Sequence, residues 1–570
     1  MKVILDKTGR VVDGINHGRK VTTDGKYFYK TFDKDYCRRD NFIKAYEAGF
    51  FDELAPAFDS LIVDSSDNII GYKMKVGKPL SNSEFDFNAI PKDFYNKLLK
   101  ITKEKKLFFY DFVPINIIIT DNGQPSLIDL ESVYPLDELY TIDRHSAKVK
   151  PDFYLKDLEK IWKDNMKSIS FIQPSRNNLK YLKWSYDSIR KNLGSQHEIC
   201  WADDFSNDGT WEWMQKIAEK DKNVKIHRNE GPTRLGHTIL YDTLVNDYAT
   251  NDIVMIYHAD MYACPGLDEQ VLKHMKPGTV VSATRIEPPL HPDGPEKILH
   301  DCGIEPEEFD ELKLMEFLEN VDKNKELSKG IFAPWAIYKK DFQSIGGHDP
   351  LYAPQSKEDS DIFNRFLLNG YELIQTWQGF VYHMTSRGSR FKDGAMRNPA
   401  GQVFMKGRES SEWLEQNLRS TRNFIRKWGH FVKHDNMLYP IVPPKYDVGF
   451  KVTNCNAQML KELEPWCSTI FIDNDDIIQQ YIQEEQKNTA FDLSKRIKPV
   501  NKQDGKKSVL SNSVTVSFDA SRLNSENFQI LVNLSEILTD SAERGKMELD
   551  IFNFDIKSLE TYEKELISVS

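Results

Sequence analysis

The chain has 570 residues, more than one hydrophobic core serves, so two to four domains are expected. Its formal net charge of −11 disfavours generic binding to nucleic acid, although a local basic patch can still meet a phosphate. Six scattered cysteines (Cys37, Cys200, Cys264, Cys302, Cys455, Cys467) form no C-x-x-C pair and point to a reduced, cytoplasmic setting. No apolar run approaches the ~20 residues of a bilayer span.

Residues 1–165 alternate strand-like pieces, such as 26–32, with helical ones such as 94–106. Here Phe109-Tyr110-Asp111-Phe112-Val113-Pro114-Ile115-Asn116, followed by Leu127-Ile128-Asp129-Leu130-Glu131, resembles the catalytic loop and metal segment of protein kinases. The resemblance implies an α+β kinase-like domain. Asp111 would orient a hydroxyl, and Asn116 and Asp129 would hold magnesium on ATP. Lys30 on a strand and Glu47 on the next helix would form the phosphate-positioning ion pair. The departures are plain. Phe109 stands where a histidine is usual, Leu130-Glu131 replaces Phe-Gly, and no G-x-G-x-x-G loop is present. Two readings stay open: a small-molecule or sugar kinase, and a degenerate binding module.

Residues 166–435 repeat a strand-then-helix rhythm, which implies a mostly parallel sheet with crossover helices. Apolar runs at 169–172, 198–201 and 253–257 read as buried strands. Polar residues just past such strands lie at the carboxyl edge of the sheet, where open α/β folds bind ligands. That edge gathers Pro174-Ser175-Arg176-Asn177, Asp203-Asp204-Phe205-Ser206-Asn207-Asp208-Gly209-Thr210 and His258-Ala259-Asp260. An Asp and a His there can hold a hard divalent ion against a diphosphate.

These three motifs, with Gly346-Gly347-His348-Asp349 and Glu358-Asp359 downstream, resemble glycosyltransferase family 2 in that family's order. The resemblance covers roughly residues 168–430. It implies a GT-A fold and an inverting transfer from a nucleoside-diphosphate sugar to an acceptor hydroxyl, a glycan foremost, with Mn2+ or Mg2+. Asp203 or Asp204 would bind base or ribose, the alternative being a helix cap. Asp260 matches the metal-binding end of D-x-D, while His258 replaces its first Asp and can touch metal or diphosphate. His383 matches the late histidine of the metal shell. Arg234 falls near the family's basic residue on the nucleotide.

Glu358-Asp359-Ser360-Asp361 opens a helix that stops at Gly370, and its first two acids should face the cleft. Asp359 would be the general base, with Glu358 as its substitute and Asp361 a more distant candidate. Between His383 and Pro399, Arg387 and Arg390 sit among glycines in a segment read either as a lid over the diphosphate or as a basic surface loop. Trp335 would stack on an acceptor sugar or lie in the core. Tyr439-Pro440-Ile441-Val442-Pro443-Pro444 reads as a boundary, and 445–570 as a small α/β domain with an exposed loop at 498–507. A non-catalytic nucleotide- or carbohydrate-binding protein is the remaining reading, because of His258.

Overall fold

The computed structural model describes residues 10–12, 21–32, 38–63, 66–83, 86–136, 139, 152–165, 168–194, 196–322, 324–386, 394–405, 410–500, 511–541 and 543–569. The chain divides into two compact units, Met1–Met166 and Lys167–Ser570.

In the first unit, antiparallel strands run in the order Arg10–Val12, Val21–Thr23, Tyr27–Thr31, Ile69–Lys75, Phe58–Val63. Helix Arg38–Glu47 connects the third of these to Phe58–Val63 in sequence. It buries Phe42 and Ala45, and the Phe42 ring stacks 5.0 Å from Tyr72. Helix Lys92–Lys105 buries Phe94, Leu98 and Ile101, a spacing that puts all three on one face. Two short hairpins follow, Leu107–Phe109 with Val133–Pro135 and Ile117–Ile119 with Pro125–Leu127.

The second unit is built on a mixed sheet. Its parallel part orders Val224–Asn229, Glu198–Asp204, Ile169–Ser175 and Ile253–Ile256. Trp335–Tyr338 then enters antiparallel to Ile253–Ile256 and to Thr279–Glu287. Thr279–Glu287 lies parallel to the twelve-residue strand Glu372–His383, whose far end pairs antiparallel with Met261–Ala263. The sheet is thus parallel in its first half and mixed beyond, because Trp335–Tyr338 returns in the opposite sense. Met261–Ala263 is placed so that Met261 stands opposite His383, which brings the ends of two distant segments to one edge.

Both faces of the parallel strands are buried, hence their unbroken apolar runs: Ile172, Trp201, Met255 and Ile256 have no exposure. Each such side chain contributes about 1.5–3 kcal/mol of transfer free energy. Trp335 belongs to this core, fully buried with its ring 5.6 Å from Phe366. It does not stack on a ligand.

Residues from 445 onward form a second sheet. Ile497–Pro499, Thr469–Ile472, Val448–Thr453 and Val514–Asp519 are parallel, and Phe552–Ile556 and Gly545–Leu549 add antiparallel. Of the expected loop at 498–507, the first two residues belong to a strand, and 501–507 lie outside the described residues.

Helix Ser411–Trp428 joins the two sheets. Ser410 accepts from Trp413 N at 3.2 Å as its cap, and Gly429 ends it at φ +81°. Its Arg426 reaches Glu464 and Glu485 of the C-terminal part at 2.7 and 2.8 Å, and all three are buried. No helix among the described residues is long and apolar enough to cross a membrane.

Candidate active site

The carboxyl edge of the central sheet opens on a cavity of about 600 Å³. Its lining includes Pro174, Asp204, Arg234, His258, Asp260, Glu358, Asp359 and His383, all expected from sequence. On its floor, His258, Asp260 and His383 each offer a ligand atom, and these atoms lie within 4.8 Å of one another. Two imidazole nitrogens and a carboxylate oxygen are a donor set that suits a divalent transition ion.

The three are held by different devices. The His258 carbonyl accepts from Gln173 Nε2 at 3.1 Å, tying the segment after Ile253–Ile256 to the neighbouring strand. Burial, with the positive His383 beside it, pushes the His258 imidazole down to about 3, so it presents a neutral nitrogen. His383 Nε2 stands 3.4 Å from Asp260 Oδ1, while its Nδ1 meets Glu287 Oε1 at 3.1 Å. Burial opposes a charge on His383, but Asp260 and Glu287 together raise it to about 9.

Glu287 is a residue the sequence reading missed. It ends strand Thr279–Glu287, buried, with Arg285 Nη1 and Lys297 Nζ both 3.2 Å away. Burial alone would raise its carboxyl, yet His383, Arg285 and Lys297 hold it down at about 2. Fixing Nδ1 of His383 leaves Nε2 for the cavity, the usual way a carboxylate orients a metal-binding histidine. Its only sequence signal was an Arg and a Glu closing an apolar strand.

Across the cavity stands helix Glu358–Leu368, which begins at the acids rather than after them. Ser356 and Lys357 precede it at φ +83° and +76°, an uncommon backbone state for such residues, and one that costs free energy at the entrance to a site. Glu358 is buried. His237 Nε2 meets its Oε1 at 2.7 Å, and its Oε2 has no hydrogen-bond partner among the described residues. Asp359 keeps partial access to the cavity. Burial and then the neighbouring Glu358 charge raise its carboxyl to about 6. Glu358 moves the other way: burial would raise it, but His237 lowers it. Like charges side by side have been driven apart, one ionised and one poised near neutrality.

Asp361 is turned away from the cleft. It is fully buried against Arg365 Nε and Lys427 Nζ, each at 2.7 Å, and Trp428 Nε1 at 2.9 Å. Two residues on from Asp359, about 200° around the helix, it points away from the cavity, so it anchors the helix instead of facing the acceptor. The Gly346-Gly347-His348-Asp349 motif is also architectural. A Cβ at Gly347 would stand 2.1 Å from Asp242 Oδ2, and His348 N and Nδ1 both bind Asp242.

The two acids after the second strand differ. Asp204 lines the cavity, but its oxygens accept from Leu235 N, Gly236 N and Asn229 Nδ2 at 3.0, 2.9 and 2.8 Å, building the loop before helix Gly236–Thr243. Asp203 is fully buried with Oδ1 unpartnered among the described residues, and burial raises its carboxyl. Asn177 clasps the adjacent loop, its N donating to Ser206 Oγ and its Oδ1 accepting from Asn207 N, each at 2.9 Å. It lines a second cavity instead of this one. Asp208 Oδ1 accepts from Thr210 N at 3.1 Å, as a cap would. Arg234 Nη2 donates to Gln355 at 2.8 Å and faces both cavities. Arg387 and Arg390 lie outside the described residues.

In the first unit, Lys30 pairs with Asp129, and with Glu131 Oε1 at 2.7 Å. Glu47 is not its partner. It ends helix Arg38–Glu47 on the exposed face, opposite the buried Phe42 and Ala45. Asn116 Nδ2 donates to the Asp111 carbonyl at 2.9 Å, and Ser132 Oγ to Asp111 Oδ2 at 3.1 Å. Asp129 has φ +62°.

The glycosyl transferase family 2 model matches residues 170–346. Two solved structures are similar to this chain at low identity. One, GalNAc-T7 with UDP, GalNAc and Mn2+, is 14% identical over 61% of this chain and 58% of its own, TM-score 0.33. The other, mannosyltransferase PcManGT from Pyrobaculum calidifontis in complex with GDP-Man and Mn2+, is 14% identical over 58% of this chain and 79% of its own, TM-score 0.29. The chain therefore spans little more than half of the first structure's length. No curated protein matches it. The family 2 match is confined to residues 170–346, and Glu358, Asp359 and His383 lie beyond it.

Proposed function

We propose that this chain is a metal-dependent, inverting glycosyltransferase that moves a sugar from a nucleoside-diphosphate sugar to an acceptor hydroxyl. One observation carries the reading: a single cavity has the cation triad His258, Asp260 and His383 and the candidate base Asp359 among its walls. Mn2+ or Mg2+ held by that triad would neutralise the donor diphosphate. Arg176, Arg234, Arg285 and Lys297 line the same cavity and face the charge that develops as the diphosphate leaves.

Asp359 takes the proton of the acceptor hydroxyl. The acceptor oxygen then bonds to the anomeric carbon as the bond to the diphosphate breaks, with no covalent sugar–enzyme intermediate. A carboxyl raised to about 6 suits this work, being ionised at neutral pH and more basic than an ordinary aspartate. His237 holds Glu358 ionised beside it. The five described cysteines are free and buried, which supports a reduced, cytoplasmic setting.

The test is nucleoside-diphosphate release from a panel of nucleotide sugars with manganese or magnesium. Slow hydrolysis of one donor is expected, falling to background in Asp260→Ala. Failure of every donor to bind would refute the reading.

For residues 1–165 we propose a kinase-like module. The support is the antiparallel sheet with its inserted helix and the meeting of Lys30 with Asp129 and Glu131. With Glu131 in place of a glycine, Lys30 is shared between two acids, which favours an altered nucleotide site over a working kinase. ATP turnover in the presence of Mg2+ that is lost in Asp129→Ala would reverse that preference.

A further inference from the structure

Arg176, Arg234, Gln355 and Trp413 line the catalytic cavity on one side and a second, larger cavity of about 910 Å³ on the other. The second cavity is a groove. One wall is helix Ser411–Trp428, and the other is made by helices Ala457–Leu463 and Asp476–Glu485 of the C-terminal part. We infer that this groove seats an oligosaccharide acceptor, its end hydroxyl at Asp359 and its body against the C-terminal wall. The inference rests on the transferase reading and names that reaction's acceptor class.

Four features support it. The groove adjoins the cavity of the candidate base and shares Arg176, Arg234, Gln355 and Trp413 with it, so a ligand that passes these residues enters the cavity lined by Asp359. Its volume is at the upper end of the ~300–1,000 Å³ of small-ligand sites, room for more than one sugar ring.

The lining chemistry suits hydroxyl groups. The amides of Asn177, Gln355, Gln416, Gln458 and Gln480 line it with both donor and acceptor atoms, beside half-buried Trp413. The six arginines and lysines there are interspersed with Glu412, Glu415, Glu484 and Glu485, so the groove is polar and of mixed sign, which does not suit an apolar tail. Two donors in it, Arg176 Nε and Arg419 Nε, are buried with no hydrogen-bond partner among the described residues. Finally, the walls are fixed. Arg422 grips Glu485 through Nε and Nη2 at 2.7 and 2.8 Å, and Asn423 Nδ2 donates to the Asn488 carbonyl at 2.9 Å. These contacts hold the two walls through the protein's own side chains, which lowers the cost of ordering on binding.

The experiment has two parts. Donor hydrolysis by the full chain without acceptor tests the transferase reading by itself. The acceptor is then probed with a glycan array and with malto-, cello- and chito-oligosaccharides from single sugars to hexasaccharides. Transfer efficiency is expected to rise with length in at least one series. In a variant combining Lys461→Ala, Gln480→Ala and Lys487→Ala, exposed residues of the far wall, the ratio of kcat/KM for the longest to the shortest acceptor should fall about tenfold. Gln458→Trp, which narrows the groove, should lower the same ratio. Intact donor hydrolysis with no glycan bound, or a length dependence the variants leave unchanged, overturns the inference.

Discussion

At the scale of single residues, the site turns on how neighbouring charges divide protons. Asp359 must be ionised to accept a proton, and its carboxyl is raised to about 6, so kcat/KM should fall as pH drops through about 6. The Glu358 charge contributes to that rise. Glu358→Gln should therefore move the acid limb of the pH–rate profile to lower pH, and an unmoved limb would mean that another group sets it. The same shift has a stability counterpart: a raised carboxyl weakens the fold as pH climbs above its ordinary value. Asp359→Asn should abolish transfer while stabilising the protein at neutral pH by about 1–2 kcal/mol, measured by denaturant unfolding. Glu287→Gln tests the orientation of His383. Manganese affinity, read by calorimetry, should drop about 10–100-fold. Asp260 and the Glu358-Asp359 pair were legible in sequence because each sits where a strand or helix begins or ends. Glu287 and His237 were not, since their roles exist only across pairs distant in the chain.

At the scale of elements, buried ion pairs fix where helices can lie. Asp361 looked like one more acid of a helix start. In the fold it is the counter-ion of Arg365 and Lys427, binding helix Glu358–Leu368 to Ser411–Trp428. Local sequence records charge but not which face of a helix meets a neighbour, so Asp361 stayed a more distant candidate for the base. Trp335 stayed open between two readings for a similar reason: an aromatic beside Pro334 is compatible with surface or core, and only the neighbouring Phe366 and Phe363 decide it. Glu464 is the strongest case. It accepts from Arg426 and from Arg496 with no solvent contact. Glu464→Ala leaves those two guanidinium groups without it and should cost about 3–5 kcal/mol in an unfolding titration.

At the scale of the molecule, these pairs give a common response to acid. The carboxyls of Glu287, Glu464, Glu485 and Asp361 all lie below their ordinary values in the fold, despite burial that would raise them. Their stabilisation is complete above those ordinary values and is lost as pH falls through the folded ones. The thermal midpoint should thus fall steeply below about pH 4. A midpoint flat to pH 3 would show that the pairs contribute little.

The alternation of strands and helices in sequence made the α/β architecture of residues 168–430 visible. It gave no hint that Trp335–Tyr338 reverses direction, because strand direction is set by the long connection before it. The C-terminal sheet was foreseen in outline, but not its use of Arg422 and Arg426 as a mount.

That mount decides where the chain can be recombined. Helix Ser411–Trp428 precedes the Pro-rich break at 439–444, yet its arginines terminate inside the C-terminal part. A hybrid enzyme joined at the break would inherit one parent's arginines and the other parent's glutamates. A junction placed ahead of Ser410 carries both halves of the lock, and makes the C-terminal segment an exchangeable cassette.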